Sequence, residues 1–83
     1  MLYRVYLLRN AAGVRYIGIS SDVTRRLQAH NAGKSSWTKS RGPWELIWQS
    51  RALSLREARK LENSLKRQKG GEGLEPLLRL WKE

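Results

Sequence analysis

Leu2-Tyr3-Arg4-Val5-Tyr6-Leu7-Leu8, Asn10-Ala11-Ala12-Gly13 and Val14-Arg15-Tyr16-Ile17-Gly18-Ile19-Ser20 follow one another at the start of the chain. The first run is almost continuously apolar, which predicts a strand covered on both faces. The second has turn chemistry, and the third reads as the returning strand of an antiparallel hairpin. Next, Ser20-Ser21-Asp22 offers helix N-caps. A helix is predicted from about Val23 to Asn31, with Gly33 suited to the left-handed position past its end.

Residues 34–42 are rich in Ser, Lys, Arg and Gly and read as a loop closed by Pro43. Trp44 to Ala52 predicts a third strand, with Trp44, Leu46 and Trp48 on one face. Ser54 and Glu57 have capping-box spacing, opening a second helix that runs to about Lys69. Gly70-Gly71-Glu72-Gly73 breaks it, and a short C-terminal helix is expected over about 75–82. The order β-β-α-β-α plus a short helix predicts an α+β fold. Its simplest form is a small three-stranded mixed or antiparallel sheet flanked by helices. The direction and place of the third strand do not follow from the pattern.

At 83 residues the chain reads as one domain over 1–83, with its core in about 2–69. A chain of this size buries only about 60–65% of the surface its unfolded form exposes. There is no cysteine, which excludes a disulfide framework or thiolate metal site and suits a cytoplasmic location. No apolar run approaches the roughly 20 residues of a membrane span, and no cleavable signal opens the chain. The 17 Lys and Arg residues outnumber 7 Asp and Glu, a net charge of +10 that favours polyanionic partners.

Polar residues interrupt the apolar pattern at five places: Tyr6, Tyr16, Arg26, His30 and Glu62. At about 100° per residue, Leu55, Ala58, Leu61 and Leu65 form one stripe of the second helix, and Glu62 falls inside it. Arg56, Lys60 and Arg67 lie on the opposite side. A carboxylate on a core-facing edge loses hydration unless it is paired or holds a metal. A structural salt bridge and a functional carboxylate are equally consistent with that position. Arg26 and His30, at i and i+4, flank the stripe of the first helix, while Arg25 points away. Arginine suits an inward cationic position facing phosphate, because its planar fork stays charged. For a lone histidine on an apolar edge such as His30, a satisfied core residue is the default reading over a catalyst.

Tyr6 and Tyr16 could share a face of the hairpin, although strand packing is the default for each. Gly18 would admit a close-approaching backbone or mark a bulge. Together these residue types meet the needs of phosphodiester hydrolysis. That reaction needs a base for water, a cation on the phosphate and help for the leaving oxygen. One carboxylate could hold a divalent ion.

The ordered set resembles a GIY-YIG nuclease domain, in particular its small stand-alone bacterial members. The likeness rests on Val5-Tyr6, Tyr16-Ile17-Gly18, Asp22 to Leu27, His30 to Gly33 and Glu57 to Glu62, across about Leu2 to Lys69. It implies that one or both of Tyr6 and Tyr16 help activate the attacking water, and that Arg26 binds the phosphate. It further implies that His30 stands near the scissile group and that Glu62 holds a single Mg²⁺ or Mn²⁺. Ile17 and Gly18 complete the motif. The implied reaction is one-metal hydrolysis leaving a 5′-phosphate and a 3′-hydroxyl. Arg4 and Val5 replace the Gly and Ile of the first motif, and Ile19 stands where some relatives carry lysine. No residue matches the asparagine that some members place beyond the glutamate.

Lys34, Lys39 and Arg41 surround Trp37, and Lys66 and Arg67 extend the positive field, as a nucleic-acid-binding surface would. Trp37 could equally cover the small core. Leu77, Leu78, Leu80 and Trp81 read as a docking face for the C-terminal segment, with a homodimer or other protein contact as the alternative. The leading expectation is a metal-dependent endonuclease, selective for DNA structure rather than sequence, with DNA favoured over RNA and a place in repair or recombination. The alternatives are a non-catalytic basic nucleic-acid-binding module and a basic protein that docks on an acidic partner.

Overall fold

The computed structural model describes residues 1–33, 41–68 and 74–82. Its elements are β1 (Arg4–Arg9), β2 (Arg15–Ser20), α1 (Val23–Asn31), β3 (Glu45–Gln49), α2 (Leu55–Gln68) and α3 (Leu74–Trp81). All strand pairs are antiparallel, and the sheet order is β2-β1-β3. The fold is therefore α+β, with the almost wholly apolar β1 at the centre.

Local chemistry sets the boundaries. The turn between β1 and β2 closes through Val14 N–H donating to Asn10 Oδ1 at 2.8 Å, with Gly13 at φ +82°. That left-handed backbone is open to glycine at little steric cost. Asp22 caps α1, its Oδ1 accepting from the Arg25 N–H at 3.1 Å. The Ser54–Glu57 capping box forms, with Glu57 N–H donating to Ser54 Oγ at 3.2 Å and Ser54 N–H to Glu57 Oε1 at 3.4 Å. Asn31 joins the end of α1 to the start of β3. Its side chain accepts from Trp44 N–H at 2.6 Å and donates to Trp44 C=O at 3.1 Å.

β1 sends alternate side chains to two cores. Val5 packs with Leu53, Ala58, Leu61, Leu65 and Leu74 beneath α2 and α3. Tyr6 and Leu8 pack with Val23 and Trp44 beneath α1. The sheet is thus a shared middle layer, and this is why β1 is buried on both faces.

The third strand departs from expectation. Trp44 and Leu46 do face one side, but Trp48 packs in the opposite core, against α2 and α3. The cause is a register shift between Leu7 and Leu8, which pair with Trp48 and Leu46. One extra residue, Ile47, reverses the alternation, as a β-bulge does. Trp48 then donates its indole N–H to the Leu78 C=O at 3.0 Å and anchors α3.

Tyr6 lies directly opposite Gly18 in the β1–β2 ladder. A Cβ at Gly18 would overlap the phenol of Tyr6. The glycine therefore makes room for the chain's own tyrosine, which replaces the sequence-based alternatives of a ligand backbone or a bulge. Gly18→Ala is expected to cost about 1–3 kcal/mol of stability, the usual penalty of overpacking. In a Tyr6→Ala background that cost should largely disappear. A double-mutant cycle by urea unfolding checks this coupling.

Candidate active site

Among the described residues Tyr6 is the largest fully buried side chain, at 1% exposure. Its oxygen is hydrogen-bonded to Nε2 of His30, itself 1% exposed, at 3.0 Å. Tyr16 lies on the same sheet face, diagonal to Tyr6, with ring centroids 6.3 Å apart. It meets the His30 ring edge-on at 4.8 Å. The shared face anticipated for the two tyrosines is therefore present.

The Arg26 guanidinium lies beside both phenols and interacts with each. The contact to Tyr6 is the larger influence holding Arg26 in its charged form, raising its pKa further. Burial pushes the Tyr6 phenol up to about 12, more than Arg26 can offset, so it stays protonated at neutral pH. Burial, reinforced by the positive charge of Arg26, lowers the pKa of His30 and keeps its ring neutral at pH 7. The Tyr6 O–H can then donate to an unprotonated Nε2.

β2 is an edge strand, and α1 and α2 cover opposite faces of the sheet. A cleft of about 390 Å³ opens where these elements meet. Its walls include Tyr6 from β1, Tyr16 and Gly18 from β2, Arg26 from α1, and Arg59 and Glu62 from α2. The Glu62 side chain is only 20% exposed, and Lys66 Nζ approaches its carboxylate at 3.4 Å. The salt bridge and the cleft-facing position, alternatives in the sequence, occur together.

The other sequence-predicted residues divide by location. His30 stands behind Tyr6 rather than in the cleft wall. Ile17 packs in the opposite core, with the Val5 cluster. Lys66 adjoins the cleft through Glu62, and Arg67 is exposed on α2. Arg41 sits at the far end of the hairpin, its C=O accepting from the Asn10 side chain at 2.9 Å. Lys34, Trp37 and Lys39 lie outside the described residues.

Sequence reasoning missed Tyr3, Ile19, Leu55 and Arg59 as cleft residues. The signal for Arg59 was its place one turn before Glu62, on the same side of α2.

The donor set bears on the metal question. Among the described residues no group of three or more His, Cys, Asp or Glu could hold an ion. A single half-buried carboxylate fits a hard divalent ion that keeps most of its water, such as Mg²⁺, and not a tetrahedral His or Cys site.

Residues 2–74 match the family model of the GIY-YIG catalytic domain. The chain belongs to the GIY-YIG family. It therefore falls among nuclease catalytic domains. A UPF0213 protein of Aeromonas salmonicida is 43% identical over 67 residues, covering 80% of this chain and 49% of that protein. A UPF0213 protein of Yersinia pestis is 41% identical over 66 residues, covering 78% and 70%. The chain thus spans about half the length of the Aeromonas relative. The solution NMR structure of a UPF0213 protein from Bacillus halodurans is 34% identical, with a TM-score of 0.54. That match covers 93% of this chain and 85% of the other, and agrees with the GIY-YIG fold. No helix of the described residues is long and apolar enough to cross a membrane.

The buried phenol gives a pH signature. Its pKa is about 12 when folded against an ordinary 10.0. The folded state holds the proton more tightly, so this contribution is whole below pH 10 and is lost as pH rises through 12. Ultraviolet phenolate titration of the parent minus Tyr6→Phe should show a transition near pH 12, not 10.

Proposed function

We propose that this GIY-YIG domain is a metal-dependent DNA endonuclease, selective for the structure of its substrate rather than its sequence. The observation that carries this reading is one convergence. Arg26 and Glu62, from helices on opposite faces of the sheet, line one cleft with Tyr6 and Tyr16. Binding alone does not call for a half-buried carboxylate among cations.

Each residue has a role that its surroundings favour. The Arg26 fork, which lines the cleft beside two phenols, takes non-bridging oxygens of the scissile phosphate. Negative charge grows on those oxygens as the phosphodiester is attacked, so a cation held in place favours the transition state. Tyr16 is half-buried and faces the cleft, where its oxygen orients the attacking water. Tyr6, protonated and buried, is the fixed support that holds Arg26 and stands against His30. Glu62 would hold the divalent ion, Mg²⁺ or Mn²⁺. The ion supplies Lewis-acid stabilisation of phosphate charge when bound.

The net charge of +10 supports a polyanionic substrate. Phosphate contacts carry no base information, and this suits recognition of DNA shape, as in branched or flapped intermediates of repair and recombination. The reading further takes residues 1–83 as a single domain acting in the cytoplasm, with Lys34, Trp37, Lys39, Arg41, Lys66 and Arg67 serving the nucleic-acid surface.

The test is cleavage of labelled single-stranded, duplex, flapped and branched DNA with Mg²⁺ or Mn²⁺ and an EDTA control. Arg26→Ala and Glu62→Ala are each expected to slow nicking by about 100-fold or more. Unchanged rates in Glu62→Ala or Tyr16→Phe would contradict the proposal. Binding without cutting on every substrate would leave a basic nucleic-acid-binding module instead.

A further inference from the structure

The polar face of α2 is one-sided in charge. At about 100° per residue, Lys66, Arg59, Arg56, Arg67 and Lys60 fall within an arc of about 120°. Neither carboxylate of the helix lies in that arc. Glu57 is held in the capping box, and Glu62 stands at the cleft edge beside Lys66. Among the described residues, Arg56, Arg59 and Lys60 make no ion pair. Like charges one turn apart, such as Arg56 and Lys60, disfavour a helix. A polyanion laid along the arc would relieve that repulsion.

The surface is also continuous with the cleft. A groove of about 410 Å³ is formed by Leu55, Arg56, Arg59, Lys60 and Asn63. Leu55 and Arg59 belong both to this groove and to the cleft that holds Arg26 and Glu62. Arg59 thus stands on the ridge between them. From Arg56 to Arg67 the arc runs about 16 Å along the helix axis at 1.5 Å per residue.

We propose that the phosphodiester backbone of the substrate strand leaves the cleft over Arg59 and continues along the α2 arc. Arg59 holds the phosphate next to the one that is cut, and Arg56 and Lys60 hold those beyond it. This rests on the reading of the cleft as the place of cleavage, but its test reads binding separately.

Affinity for a short labelled DNA duplex with a single-stranded flap would be measured by fluorescence anisotropy in EDTA, across a range of KCl concentrations. Each phosphate contact contributes about 0.9 to the slope of log affinity against log salt on duplex. Arg56→Ala/Lys60→Ala should flatten the slope by about 1.8, and Arg59→Ala by about 0.9, with Arg59→Lys restoring it. Arg15→Ala/Arg79→Ala removes the same charge from exposed positions elsewhere and should leave the slope unchanged. Circular dichroism confirms that each variant is folded. Equal flattening by the control pair, or none by the α2 pair, would overturn the proposal. Should no substrate be cut while the slope still depends on α2, the nuclease reading falls and the path stands. Should DNA be cut while the slope is indifferent to α2, the path falls and the nuclease reading stands.

Discussion

A tyrosine ring laid across a glycine holds this structure together at its centre. Tyr6 occupies the middle of the central strand, where an aliphatic side chain would give the simpler core. Its phenol fits only because Gly18, its cross-strand partner, has no side chain. Burial makes the polar oxygen expensive unless it is satisfied. His30 at 3.0 Å satisfies it, with the Arg26 guanidinium beside it. One constraint thereby ties β1, β2 and α1 together and sets the direction of the cation that faces the cleft.

The second helix completes the arrangement from the other side of the sheet. Its apolar stripe of Ala58, Leu61 and Leu65 is buried against β1 and β2, which fixes its rotation. Given that rotation, Glu62 falls at the edge of the buried stripe with a 20% exposed side chain. Arg59, one turn earlier, reaches the same opening. Charge of both signs meets at the β2 edge because two independently packed helices bring it there. No loop has to close for this set to form among the described residues. The supporting elements are regular ones, and a site built on them holds its geometry more precisely than one built on loops.

Much of this was legible in the chain. The hairpin, both long helices, the capping box and the direction of Arg26 and Glu62 followed from alternation and from the 3.6-residue repeat. Those signals are local, and each is carried by a few neighbouring residues. What escaped was non-local. The bulge that sends Trp48 to the opposite core depends on how β3 meets β1, and no pattern within β3 announces it. The position of Gly18 under Tyr6 depends on hairpin register, which a turn of uncertain geometry left open. Arg59 looked like one of many surface cations, because only the packing of α2 against the β2 edge distinguishes it. Arg41 was grouped with the nucleic-acid surface by its charge and its place near Trp37, and that it lies at the opposite end of the hairpin from the cleft is visible only in the fold.

That distance sets up the most direct measurement. A separate concavity, of about 650 Å³, lies at the hairpin end between Arg9, Asn10, Trp44 and their neighbours. Amide NMR shifts of the labelled Glu62→Ala protein, titrated with a flapped DNA duplex, would show which concavity receives the nucleic acid. With DNA seated in the cleft, the largest changes are expected at Tyr16, Gly18, Ile19, Arg26 and Arg59. Changes centred instead on Asn10, Gly13 and Trp44, with the cleft amides still, would contradict the assignment of the cleft as the place of cleavage.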